Sequence, residues 1–95
     1  MPTLHIEHPV TDYETWSSAF SRFADARRRA GVRAHRVPRP IDDPKYVVID
    51  LDFDTNEGAQ AFLSFLKKNV WGNRVNAPAL AGEPETMILH PAVTE

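Results

Sequence analysis

Tyr46-Val47-Val48-Ile49-Asp50-Leu51-Asp52-Phe53-Asp54 alternates from end to end. On an extended strand, Val47, Ile49, Leu51 and Phe53 fall on one side, and Tyr46, Val48, Asp50 and Asp52 on the other. The first set is uniformly apolar and suits a covering layer of helices. The second runs from apolar to acidic, so it meets either solvent or a partly polar enclosed space.

Working outward, Thr3 to His8 is a first strand, with Leu4 and Ile6 on one side and His5 and Glu7 on the other; Pro9 weakens its ladder. Thr11-Asp12-Tyr13-Glu14 reads as a capping box opened by Thr11. The helix after it sets Tyr13, Trp16, Phe20, Phe23 and Ala30 in one apolar stripe, and Gly31 ends it. Arg33 to Arg39 is a weaker strand whose Pro38 suits a sheet edge. Pro40-Ile41-Asp42-Asp43-Pro44-Lys45 is a turn. Beyond the central strand, Asp54 and Glu57 form a second capping pattern. A helix from Thr55 to Val70 buries Ala59, Phe62, Leu63, Leu66 and Val70, and Trp71-Gly72-Asn73 ends it. A short helical turn over Arg74 to Leu80 and a last strand, Glu85 to His90, complete the chain. In that strand Thr86, Ile88 and His90 are placed on the side opposite Met87 and Leu89.

The order β-α-β-β-α-β is the split βαβ, an α+β ferredoxin-like arrangement, expected as one domain over residues 1–95. Two helices cover one face of a four-stranded antiparallel sheet. The first and third strands are central, the fourth lies beside the first and the second beside the third.

The run His8-Pro9-Val10-Thr11-Asp12-Tyr13 with Trp16 and Phe20 resembles the dimeric α/β-barrel superfamily, which includes antibiotic-biosynthesis monooxygenase-like and cyclase-like small proteins. Gly31, Val37-Pro38-Arg39, Asp42-Asp43-Pro44, Ala61-Phe62 and Ala81-Gly82-Glu83-Pro84-Glu85 extend the resemblance over nearly the whole chain. The likeness implies a homodimer whose helix-free sheet faces meet to close a barrel, with a ligand pocket beside each sheet. Haem-handling barrels of that superfamily carry an axial histidine on a helix. Neither main helix here contains one, which disfavours haem.

Composition narrows the function further. A formal charge of -2 gives no whole-molecule attraction to nucleic acid or anionic lipid. Asp50 and Asp52 on the free sheet face would repel a phosphate backbone, against nucleic-acid binding. Cysteine is absent, which removes disulfides, thiolate metal sites and cysteine nucleophiles. No apolar run approaches the ~20 residues that span a bilayer. With no signal-peptide pattern after Met1-Pro2, a cytoplasmic location is expected.

With the strand phases above, His5, Glu7, Asp50, Asp52, Thr86 and His90 share the free face. His5, Glu7, Asp50 and His90 are the candidate acid/base set, because histidines and carboxylates can exchange protons near neutrality. The same groups offer metal ligands, but no spaced metal motif accompanies them, and neither metal nor cofactor is expected. The competing reading makes them hydrogen-bonded groups at a dimer interface or sheet rim. Tyr46, Asp52 and Trp71 are the candidate substrate contacts. Trp71 either covers the mouth of the barrel or packs into its own subunit. Trp16, Phe20 and Phe23 are expected in the core, His8 and His35 at the surface or as capping groups, and Arg27-Arg28-Arg29 on a solvated face that offsets the helix dipole.

Two functions remain open. One is a cofactor-free monooxygenase, cyclase or isomerase acting on a small, partly aromatic molecule. The other is a non-catalytic dimeric module that binds a small ligand or supports assembly. Tyr46, Val48 and Ile88 on the free face weigh against a water-facing monomer, since exposed apolar clusters mark interfaces.

Overall fold

The computed structural model describes residues 1–73 and 75–90. Its elements are β1 (Thr3–Pro9), α1 (Tyr13–Arg22), α2 (Ala24–Arg29), β2 (Val32–Arg36), β3 (Tyr46–Phe53), α3 (Asn56–Phe65) with a π-helical turn at Leu66–Val70, and β4 (Glu85–Leu89). The strands form an antiparallel sheet in the order β2-β3-β1-β4, the ferredoxin-like arrangement expected from the sequence.

β3 alternates as its sequence dictates. Val47, Ile49, Leu51 and Phe53 are buried, and they meet Leu4 and Ile6 of β1 with Ala59 and Phe62 of α3 in one core. Each fully buried Val, Leu, Ile or Phe side chain contributes roughly 1.5–3 kcal/mol. Tyr13, Trp16, Phe20, Leu63, Phe65 and Leu66 pack against that core from the helices. No helix among the described residues is long and apolar enough to cross a membrane.

Both helix starts fall one residue later than the capping patterns suggest. Thr11 is held to the loop before β4 by its N–H, which donates to the Ala79 carbonyl at 2.9 Å. That bond keeps residue 11 out of the helix, and Asp12 caps it instead, accepting from the Thr15 amide at 2.8 Å. Likewise β3 runs on through Phe53, and Thr55 rather than Asp54 caps α3, accepting from the Gly58 amide at 3.0 Å.

The single first helix expected from the stripe is divided at Phe23, whose N–H turns back to the Phe20 carbonyl at 3.2 Å. Gly31 then takes a φ of 93°, open to glycine at little cost. The turn expected over Arg74–Leu80 begins on a residue outside the described set. Beyond it, Asn76 and Ala77 donate to the Asn73 carbonyl, each at 3.0 Å.

β4 has the opposite phase to the one expected. Ile88 pairs with Leu4 and Thr86 with Ile6, so both lie on the helix side; Met87 pairs with His5 and Leu89 with Thr3, on the free side. β4 carries apolar residues in both phases, and polarity alone favoured the wrong one.

Candidate active site

The free face holds a hydrogen-bonded network across β1 and β3. His5 faces Asp50 directly across the ladder. Its Nδ1 lies 2.7 Å from an Asp50 carboxylate oxygen and its Nε2 2.8 Å from a Glu7 oxygen. The other Glu7 oxygen accepts from the Tyr46 hydroxyl at 2.7 Å. An imidazole flanked by two carboxylates donates to both only as the imidazolium. Its pKa is accordingly raised, chiefly by the hydrogen bond to Glu7, against the opposing effect of burial and with further support from Asp50. Glu7 is held below the usual carboxylate range by His5 and then Tyr46. Tyr46 is pushed up to about 12 by its bond to Glu7.

Asp52 belongs to a second cluster. It receives a two-point contact from the Arg36 guanidinium, at 2.9 and 3.0 Å, and a bond from the Thr3 hydroxyl at 2.7 Å. Arg36 and then Thr3 depress its pKa to about 2. Of the expected acid/base set, His5, Glu7 and Asp50 therefore come together, while His90 does not join them. His90 follows the end of β4 and is exposed, and no hydrogen bond links it to the cluster among the described residues. No group of three or more His, Asp or Glu side chains converges at metal-binding distance among the described residues.

The enclosed space lies on the other side of the sheet. A cavity of about 80 Å³ sits between the helices and the strands, lined by Ile6, His8, Trp16, Phe20, Arg27 and Trp71 together with further apolar side chains of β3, α3 and the 76–80 loop. An apolar cavity of roughly 150 Å³ accepts benzene, so this space alone holds a few waters' volume, and a ring entering it also extends into the space at its mouth. A wider, open groove of about 640 Å³ adjoins it and shares Trp71, Ala77 and Leu80. Trp71 thus stands at the boundary of cavity and groove within its own subunit. The π-helical turn that precedes it, closed by the Trp71 amide on the Leu66 carbonyl at 2.8 Å, sets the indole there.

Two polar side chains line this cavity: His8, expected at the surface or as a capping group, and Arg27, expected on a solvated face. His8 is 3 % exposed. Its Nδ1 lies 2.9 Å from the Pro9 carbonyl and can reach that acceptor only as an N–H donor, which leaves Nε2 as the basic nitrogen of a neutral ring. Burial lowers its pKa, with the Pro9 contact opposing, so the neutral form holds at neutral pH. Its ring meets Trp16 edge-on at 6.5 Å, and Trp16 stacks on Phe20 at 4.9 Å.

Arg27 is 8 % exposed; it donates to the Phe20 carbonyl at 2.6 Å and lies over the Phe20 ring at 3.7 Å. The break in the helix at Phe23 leaves that carbonyl within its reach. The sequence carried a signal for each residue. His8 is in phase with Leu4 and Ile6, and Arg27 fills the one missing step of the stripe 13-16-20-23-27-30.

No family model and no curated relative matches the chain. Solved structures do. SnoaB, a cofactor-independent oxygenase from Streptomyces nogalater, superposes with a TM-score of 0.72 at 20% identity, covering 98% of this chain and 94% of that one. An antibiotic biosynthesis monooxygenase-like protein of Nitrosomonas europaea gives 0.71 at 18% identity, over 98% and 100%. A dimeric ferredoxin-like protein from an uncultured marine organism gives 0.70 at 13% identity, over 99% and 96%. At such identities the likeness concerns the fold: over nearly its whole length, the chain is built like the antibiotic biosynthesis monooxygenase-like ferredoxin-fold proteins.

Proposed function

We propose that this protein is a cofactor-free enzyme of the oxygenase or isomerase kind, acting on a small, partly aromatic molecule in the cavity between helices and sheet. The observation that carries the reading is a neutral, buried His8 whose Nε2 is the one uncharged imidazole base on a wall that is aromatic and aliphatic apart from Arg27 and Asn76. Such a base can remove a proton from an activated C–H or O–H in a space shielded from water. The resulting anion either accepts the proton back at another carbon or reacts with dioxygen. In the second case a CH₂ becomes C=O and the other oxygen atom leaves as water, the substrate supplying all the electrons. The structural likeness to a cofactor-independent oxygenase supports this class.

The free face is the proposed pairing surface. Met87 and Leu89 are 56% and 43% exposed there, level across β1 with Asp50 and Asp52, and one neighbour of the same fold is described as dimeric. On this reading the His5–Glu7–Asp50 network orders the interface, and catalysis takes place on the helix side.

Both tryptophans of the chain line the cavity, so intrinsic fluorescence reports directly on its occupancy. Single-ring phenols, quinols and enolisable ketones should quench it, and oxygen consumption or isomerisation of the binders should disappear in His8→Asn. Turnover that survives in His8→Asn removes His8 as the base; quenching without turnover by any binder leaves a ligand-binding module. Sedimentation at micromolar concentration should give a dimer that Met87→Glu converts to a monomer. A wild-type monomer would discard the pairing surface.

A further inference from the structure

Arg27 is a buried cation without a counterion among the described residues, in a cavity that has no acidic lining. Among the described residues no carboxylate lies within ion-pair distance of its guanidinium, and its one hydrogen bond goes to the Phe20 carbonyl. Among the cavity's lining side chains the polar ones are His8, Arg27 and Asn76, and none is acidic. Removing a guanidinium from water costs several kcal/mol, and one carbonyl with one aromatic face recovers only part of it. A leucine or methionine would complete the apolar stripe at residue 27 without that cost. Burial also lowers the Arg27 pKa, yet a guanidinium keeps its charge in a protein. No side-chain nitrogen among the described residues is both sealed from the surface and unpaired, so the fork's remaining N–H groups are accessible and free to take a ligand.

We propose that the cavity takes an aromatic carboxylate, with the carboxylate on Arg27 and the ring toward His8. This rests on the reading of the cavity as a ligand pocket and adds the charge and chemical class of the ligand. A carboxylate matches the planar guanidinium with two parallel hydrogen bonds, a geometry lysine cannot offer. Between Arg27 and His8 run the stacked rings of Phe20 and Trp16, an aromatic wall for the ligand's ring. The arrangement places the ligand's anion at one end and a neutral base at the other. A neutral His8 is also the form that tolerates a cation in the same cavity.

Benzoate and its neutral isostere benzamide test the proposal on the wild-type protein, by tryptophan quenching at neutral pH. Charge-assisted hydrogen bonds to a largely buried guanidinium predict that benzoate binds about tenfold to a hundredfold more tightly than benzamide. Arg27→Met, checked for folding by near-ultraviolet circular dichroism, should erase the preference by weakening benzoate alone. Equal or tighter binding of benzamide to the wild type overturns the carboxylate assignment while leaving an aromatic pocket in place. Quenching by neither probe overturns the pocket reading and the assignment together. Unaltered benzoate preference in folded Arg27→Met also overturns the assignment. Should that variant fail to fold, the wild-type pair of titrations decides the matter alone.

Discussion

His5 and His8 lie three residues apart on β1 and face opposite sides of the sheet, so pH perturbs them in opposite senses. The folded protein raises the pKa of His5 above its ordinary value of 6.5 and lowers that of His8 below the same value. Above pH 6.5 the unfolded chain loses the His5 proton while the folded one still holds it. The stability contributed by His5 is therefore complete below 6.5 and disappears as pH rises through the folded value. For His8 the sign reverses. Below pH 6.5 the unfolded chain gains a proton that the folded one refuses, so stability falls on acidification until the folded pKa is reached.

The two effects predict a stability maximum near pH 6.5. Each limb has a limiting slope of about 1.4 kcal/mol per pH unit for one proton. For a chain of 95 residues, that is on the order of 5–10 °C in Tm per pH unit. His5 keeps 21% of its side chain in solvent, which weakens its ion pairs; the alkaline limb should span the narrower range. Urea unfolding between about pH 5.5 and 8.5, above the carboxylate range, measures both limbs. One protein concentration must be used throughout, because the apparent stability of any dimer depends on concentration. His5→Gln should flatten the alkaline limb alone, and His8→Asn the acid limb alone. A monotonic profile, or a limb that persists in the variant meant to remove it, would refute the assigned protonation states.

Asp52→Asn removes the Arg36 and Thr3 contacts. The pKa drop from 3.8 to about 2 sets a ceiling near 2.5 kcal/mol, and with Arg36 53% exposed we expect about 1 kcal/mol. Because the folded pKa is depressed, that stability exists above 3.8 and is lost as pH falls through about 2, so the urea midpoints of variant and wild type should converge there. Trp71→Ala should join the cavity to the outer groove, speed benzoate dissociation in stopped-flow with Trp16 as reporter, and cost about 2 kcal/mol, less than a fully buried Trp. An unchanged dissociation rate would remove Trp71 from the ligand's path.

The sheet was legible wherever one face of a strand was plainly apolar. β3 reads correctly because Val47, Ile49, Leu51 and Phe53 alternate with two aspartates, and β1 because Leu4 and Ile6 alternate with His5 and Glu7. β4 reads wrongly because Met87 and Leu89 are as apolar as Ile88, yet both are exposed among the described residues. The cap positions were displaced by long-range bonds, such as Thr11 to Ala79, that no local pattern contains. The free-face cluster of His5, Glu7 and Asp50 was legible from strand phase alone, since pairing of β1 with β3 brings the three together.

The cavity was not, and the reason is chemical rather than topological. Periodicity assigns a side chain to a face, whereas residue type was allowed to assign it to water. His8 and Arg27 obey the periodicity and break the polarity rule, and both prove buried. A charged or basic residue in phase with a core stripe carries a desolvation cost, which two backbone carbonyls and the rings of Phe20 and Trp16 offset only in part within the described chain. His5 differs in this respect, because two carboxylates satisfy it and fix its proton. A side chain already saturated by its neighbours has little left to offer a substrate. The imidazole three residues later, buried and neutral, keeps a nitrogen lone pair, and Arg27 keeps the donors that Phe20 does not take. On the proposed reading, capacity for chemistry lies with these two incompletely paired groups, both of which line the cavity between the helices and the sheet.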